Sequence, residues 1–143
     1  MIDRITPDFD AFTLPDVVVQ DYLSRAKAFV YAACEDFGIV LVEAQACGTP
    51  TIAYGVGGAA ETVLDIRSYP ERGTGILFSA QTTTALITAI STFETYRQQF
   101  QAERIRTHAE GFATSVFRSR YLRLVDRATQ QWQSRAKLKH GEI

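Results

Sequence analysis

The sequence predicts an α/β fold built on a parallel sheet, and two observations carry that expectation. Three short, continuous apolar runs, "AFVYAA" at 28 to 33, "TIAYG" at 51 to 55 and "GILFS" at 75 to 79, have the character of strands covered on both faces. The gaps between them hold helical segments, "GIVLVEAQAC" in the first and "GGAAETVLD", opening on Gly57-Gly58, in the second. This βαβαβ order with short loops implies parallel strands, right-handed crossovers and helices on both faces of the sheet.

The elements follow in order. Residues 1 to 15, with Pro7 and Pro15 bracketing "DFDAFTL", read as an irregular lead-in or a short edge strand. Pro15-Asp16 is a helix start signal, and Val18, Tyr22 and Ala26 form the apolar stripe of a first helix that ends near Ala28. After the third strand, threonines suited to capping precede Leu86, Ile87, Ile90 and Phe93 at helical spacing, a helix expected to pack on the sheet. A further helix is expected from about Glu94 to Glu110, broken at Gly111. The last opens near Thr114-Ser115 with Phe117, Tyr121, Leu124, Ala128 and Trp132 on one face. The tail, 134 to 143, is expected to fray.

At 143 residues the chain has the length of one domain, and its 46% hydrophobic and 22% charged composition is that of a folding globular protein. The formal net charge of −1 provides no general basic field for nucleic acid or an anionic membrane. No apolar run is long enough for a membrane span and no signal core opens the chain, which points to the cytoplasm. Cys34 and Cys47 read as buried reduced thiols, and no histidine stands near enough in sequence to suggest a metal cluster. His108 and His140 read as structural or solvated, and Arg120, Arg123 and Arg127 as a solvated helix face.

The stretch "EDFGIVLVEAQACGTP" concentrates the chemistry. From Ile39 to Cys47 it is an almost wholly apolar helix ending in a glycine cap, yet it carries Glu43, whose charge is costly there unless paired. On the residues alone, Glu43 is either a salt-bridged or solvated rim carboxylate or a ligand-binding one. Gly38 favours the second reading. It precedes the helix at the carboxyl end of the first strand, where parallel sheets bind ligands and where a helix's unpaired N–H groups meet anions. A carboxylate one turn further along that helix would lie near a ribose diol.

Glu35 and Glu43, with seven residues between them in "EDFGIVLVEAQACGTPTIAYGVGGAAETV", resemble the E-x7-E signature of retaining, nucleotide-sugar-dependent glycosyltransferases, family 4 of the GT-B fold. The similarity continues through "GTGILFS" and "HAEGFATSVFRSRYLRLV" and covers about residues 16 to 130. The resemblance implies that Glu43 binds the ribose hydroxyls of the donor. Glu35 would hold a donor-sugar hydroxyl, with the backbone of Asp36, Phe37 and Gly38 around it, and the N–H groups of Ile39 and Val40 would face the diphosphate. It implies no metal and no cofactor. Gly57-Gly58 match a turn that brings the next loop close to the site, or a plain turn, and Glu61 is equally ambiguous.

A complete enzyme of that fold has two Rossmann-like domains, and residues 1 to 143 correspond to a single partial domain, the second half of the C-terminal, nucleotide-sugar-binding one. The family's upstream arginine and lysine have no evident counterpart: only Arg4, Arg25 and Lys27 precede Glu35, the latter two late on a helix's polar side. The expected function is the donor-binding portion of a transferase, inactive alone. A stand-alone nucleotide-sugar-binding or regulatory module, and a fragment of a GT-B sugar-nucleotide epimerase, are the alternatives. An uncovered sheet edge implies a cover from the lead-in, from a second copy of the chain in a homodimer built on that edge or on the Phe117, Tyr121 and Trp132 stripe, or from a partner subunit supplying the missing domain.

Overall fold

A computed structural model describes the backbone of residues 16–139 and the side chains of residues 17–135. The lead-in with Arg4, and His140, lie outside the described residues. The elements are α1 (Asp16–Arg25), β1 (Phe29–Tyr31), α2 (Ile39–Ala46), β2 (Thr51–Tyr54), α3 (Gly58–Thr62), β3 (Gly75–Phe78), α4 (Thr83–Tyr96), α5 (Ala102–Glu110) and α6 (Thr114–Lys139). The three strands pair in the order β1-β2-β3, all parallel, with Val30 beside Ile52 and Ile52 beside Ile76. The α/β class and the parallel sheet are as the sequence predicts.

Alternation along the strands divides the core into two faces. Ile52, Ile76 and Phe78 pack with Ile66 against Ala89 and Phe93 of α4. On the other face Ala53 meets Leu41 of α2, Ala59 of α3 and Val63, with Phe29, Tyr31 and Leu77 at the margin. Leu41, Ile52, Ile76 and Ile105 are fully enclosed, each burial contributing roughly 1.5–3 kcal/mol. The Thr82 hydroxyl caps α4 by accepting from the Ala85 N–H at 3.2 Å. α2 ends as its sequence indicates: Gly48, at φ +83, donates to the Gln45 carbonyl while Thr49 donates to that of Ala44, closing a Schellman turn. α5 packs along α2.

The two edges of the sheet differ. Beside β3, residues 64 to 67 run alongside the strand, with Ile66 N–H donating to the Gly75 carbonyl and Gly75 N–H to that of Leu64. Further up, side chains replace the backbone: Asp65 accepts from the Leu77 N–H at 2.8 Å, and Arg67 donates to the Leu77 carbonyl at 2.6 Å. β1 pairs only with β2 among the described residues, and Val30, on the α4 side of the sheet, remains 45% exposed.

Several boundaries depart from expectation. The first helix stops at Arg25 rather than near Ala28, and the first strand is Phe29–Tyr31 rather than the whole of 28 to 33, because the chain leaves the sheet at Ala32. α3 ends at Thr62, where Val63 turns extended and leads into the segment beside β3. The helix expected from Glu94 begins at Ala102. α4 runs to Tyr96, a 3-10 turn covers Arg97–Gln99, and Phe100 turns extended with its ring stacked on Phe93 at 5.4 Å. The tail is helical through Lys139 rather than frayed from 134, since no Gly or Pro interrupts it before Gly141.

α6 stands apart. Residues 117 to 135 are all exposed, so the Phe117, Tyr121, Leu124 and Trp132 stripe is uncovered, and Arg120, Arg123 and Arg127 are solvated as expected. Its sequence carries seven basic residues and one acidic residue, Asp126.

Candidate functional site

The loop from Ala32 to Gly38 leaves the carboxyl end of β1 and enters α2, and it is held from two sides. The Glu35 carbonyl accepts from the Gly58 N–H at 2.6 Å, and Glu35 forms an isolated parallel pair with Gly57. The Tyr31 hydroxyl donates to Glu35 Oε1, an interaction that raises the tyrosine's pKa above its ordinary value. Packing against the α2 face of the core, and against Phe29 at 6.2 Å, fixes the Tyr31 ring. Glu35 Oε2 has no protein partner among the described residues.

The paired glycines make this contact sterically feasible. A Cβ on Gly58 would stand 2.2 Å from the Phe37 carbonyl carbon, and one on Gly57 would stand 2.3 Å from the Glu35 carbonyl oxygen. The turn therefore passes close to residues 35 to 37, pressed against their backbone. The Asp36 and Phe37 side chains are exposed, and the Phe37 ring meets Phe112 edge-on at 6.0 Å.

Gly38 caps α2 in the left-handed conformation, φ 74 and ψ 55, with no capping side chain. Its carbonyl accepts from the Leu41 N–H, whereas the N–H groups of Ile39 and Val40 have no partner among the described residues. Those two donors carry the positive end of the helix dipole at the carboxyl end of the sheet. Ile39 is 66% exposed and leaves the approach open.

The Glu43 side chain is exposed and has no hydrogen bond or ion pair among the described residues, so it carries no desolvation cost in the apolar helix. It lies about 6 Å along the helix axis from Ile39. It borders a cleft of about 550 Å³ between α1 and α2, lined also by Val19, Gln20, Leu23, Ala46 and Cys47. No residue from 35 to 40 lines that cleft. The structure thus gathers Glu35, Asp36, Phe37, Gly38, Ile39 and Val40 at one place and sets Glu43 one turn away, toward α1.

Arg25 pairs with Asp21, and Lys27 precedes β1 at the amino end of the sheet, opposite the Glu35 loop. Neither reaches the α2 N-terminus, in line with the sequence. Glu61 is exposed on α3. Cys34 is exposed and Cys47 half-buried, against the expectation of two buried thiols: Cys34 follows the point where the chain leaves the sheet. Partial burial pushes the Cys47 thiol up. The His108 Nε2–H donates to the Thr62 carbonyl at 3.0 Å, a structural role.

Two participants were not singled out from the sequence. Gln45, fully buried, donates from Nε2 to the Leu41 and Thr62 carbonyls, both at 3.1 Å, and ties α2 to α3. A lone amide in an apolar helix was the available signal. Tyr31 is the other, and its four-residue spacing to Glu35 carries no signal across a strand end. Among the described residues, no group of three or more His, Cys, Asp and Glu side chains is placed to hold a metal, and no helix is long and apolar enough to cross a membrane.

A family model described as "Glycosyl transferases group 1" matches residues 11–111. A D-inositol 3-phosphate glycosyltransferase of Mycobacteroides abscessus is 33% identical over 132 residues, covering 85% of this chain and 28% of that protein. One from Rhodococcus jostii is 36% identical over 101 residues, 69% of this chain and 21% of the relative. Among solved structures, the sucrose-phosphate synthase of Thermosynechococcus elongatus superposes with a TM-score of 0.55 at 30% identity, over 79% of this chain and 27% of that one. The architecture is therefore similar to the GT-B glycosyltransferase fold, and the chain spans less than a third of the length of these relatives.

Proposed function

From the premise that the chain belongs to the group 1 glycosyl transferases, we propose that it is the donor-binding portion of a retaining, nucleotide-sugar-dependent transferase, the E-x7-E pair being Glu35 and Glu43. The observation that carries this reading is the start of α2: left-handed Gly38 leaves the Ile39 and Val40 N–H groups unpaired among the described residues, and Glu35, on the loop that leads into the helix, keeps one carboxylate oxygen without a partner among them. Two aligned donors at a helix N-terminus suit a diphosphate. A carboxylate on the loop before them suits a sugar hydroxyl, and Glu43, one turn on, suits the vicinal hydroxyls of ribose.

In this reading the chain's residues bind and orient. Ile39 and Val40 donate to the diphosphate oxygens and, as the glycosidic bond breaks, stabilise the charge that collects on the leaving group. Glu35 fixes the sugar ring, and Glu43 the nucleoside, so that the anomeric carbon is presented in one orientation. The departing diphosphate assists deprotonation of an acceptor on the same face. Because Arg25 and Lys27 stand elsewhere, neither neutralises the diphosphate, and in this reading the chain alone binds donor weakly, at about millimolar affinity, and transfers no sugar. That placement also favours a second reading, a module that binds nucleotide sugars without turnover. The exposed Cys34 thiol fits the reducing cytoplasm.

The test is a titration of uridine and guanosine diphosphate sugars against the wild-type chain and Glu43→Gln. Loss of a carboxylate acceptor should weaken binding by roughly 1.5–3 kcal/mol, about ten- to a hundredfold. Equal affinities would refute the ribose assignment.

A further inference from the structure

Glu35 is an exposed glutamate on a loop, and a side chain of that kind samples several rotamers unless something fixes it. Here its backbone is held by Gly58, and its Oε1 is engaged by the Tyr31 hydroxyl. Tyr31 is well placed to fix it, because its own ring is fixed in turn. It belongs to the three-residue strand β1, stacks on Phe29 with a 23° interplanar angle, and packs on the cluster of Leu41, Ala53, Ala59 and Val63. A tyrosine has only two side-chain torsions, so a packed ring leaves its hydroxyl one place to stand.

We propose that Tyr31 is a positioning residue for the donor-sugar site: its hydroxyl holds Glu35 Oε1 and thereby turns Oε2 toward the sugar hydroxyl. The inference rests on the donor-site reading above and adds to it a division of labour between the two carboxylate oxygens. One oxygen is committed to the protein, so the other is oriented before the ligand arrives, and less rotamer freedom is lost on binding. Sugar affinity is raised while nucleotide affinity is untouched, since Tyr31 has no direct contact with the α2 donors.

Tyr31→Phe removes the hydroxyl and keeps the ring, so the core contact survives. NMR titrations of the full chain with UDP and UDP-glucose, and with GDP and GDP-mannose, separate the sugar's contribution from the nucleotide's. The expected result is that Tyr31→Phe weakens the sugar conjugate that binds by about three- to tenfold and leaves the corresponding diphosphate unchanged. In a Glu35→Ala background the same substitution should have no further effect, because Tyr31 acts only through Glu35. An equal loss for both ligands, no loss for the conjugate, or a full additional loss in the Glu35→Ala background would each overturn the positioning role while leaving the donor site standing. Wild-type protein that binds none of the four ligands would overturn the donor-site reading, and this inference with it.

Discussion

Replacing Asp65 with alanine should open the β3 edge of the sheet. Asp65 is 8% exposed and accepts four hydrogen bonds: from the Arg67 N–H and Nε at 2.9 Å, from Arg67 Nη2 at 2.5 Å and from the Leu77 N–H at 2.8 Å. With alanine, the Leu77 N–H on the outer side of edge strand β3 loses its partner, which costs about 1–3 kcal/mol. Arg67 is half-exposed, so its share of the ion pair adds only about 0.2–1 kcal/mol. The expected loss is therefore roughly 1–4 kcal/mol, read as a lower urea midpoint at an unchanged slope. Its pH dependence has a definite sign. Burial opposes ionisation of Asp65, but hydrogen bonds from Arg67 and the Leu77 N–H outweigh it and hold the carboxyl below its usual 3.8. A depressed native pKa stabilises the fold fully above the unfolded value and is lost as pH falls through the native one. The gap between wild type and Asp65→Ala should hold from neutral pH to about 4 and narrow below it. A loss under about 0.5 kcal/mol at pH 7 would show that water or a neighbouring segment satisfies Leu77 equally well.

Gly58→Ala should force the α3 turn away from Phe37, since the added carbon would meet backbone at 2.2 Å; a cost of about 1–3 kcal/mol in thermal unfolding and weaker donor binding are expected, and an unchanged melt would contradict the close approach. The purified chain should form no glycoside from any donor with any acceptor, and donor-dependent product in a sensitive assay would refute this. Sedimentation at micromolar concentration should show a homodimer built on the β1 edge, which pairs only with β2 among the described residues, rather than on α6, because two copies of α6 would set seven basic residues against seven. A well-behaved monomer would show that the edge is sealed within one chain.

The sheet was legible because its strands are apolar runs set off by glycine-containing turns, and the α2 cap because a single residue type at Gly48 decides it. What escaped the sequence lies where a distant contact sets the local conformation. Phe100 interrupts an otherwise helical stretch to stack on Phe93, and Val63 abandons α3 so that residues 64 to 67 can line β3. At the site, Glu35, Gly38 and the helix start form one continuous stretch and were read together. The environment of Glu43 was not, because an apolar run shows how greasy a helix is without showing which of its faces is covered. Tyr31 and Cys34 were missed or misjudged for a related reason: both depend on where a strand ends, and only the paired register of β1 with β2 fixes that end at Tyr31.

The charge of α6 is uneven. Its seven basic residues and one acidic residue give the helix a formal +6 in a chain whose total is −1. Arg118, Arg120, Arg123, Arg127 and Arg135 are all exposed, so the protein presents a strongly basic surface along this helix despite its net charge. At low ionic strength it should be retained by a cation-exchange resin at pH 7 despite its net negative charge, docking by the helix, and about 0.15 M salt, where the screening length falls to about 8 Å, should release it.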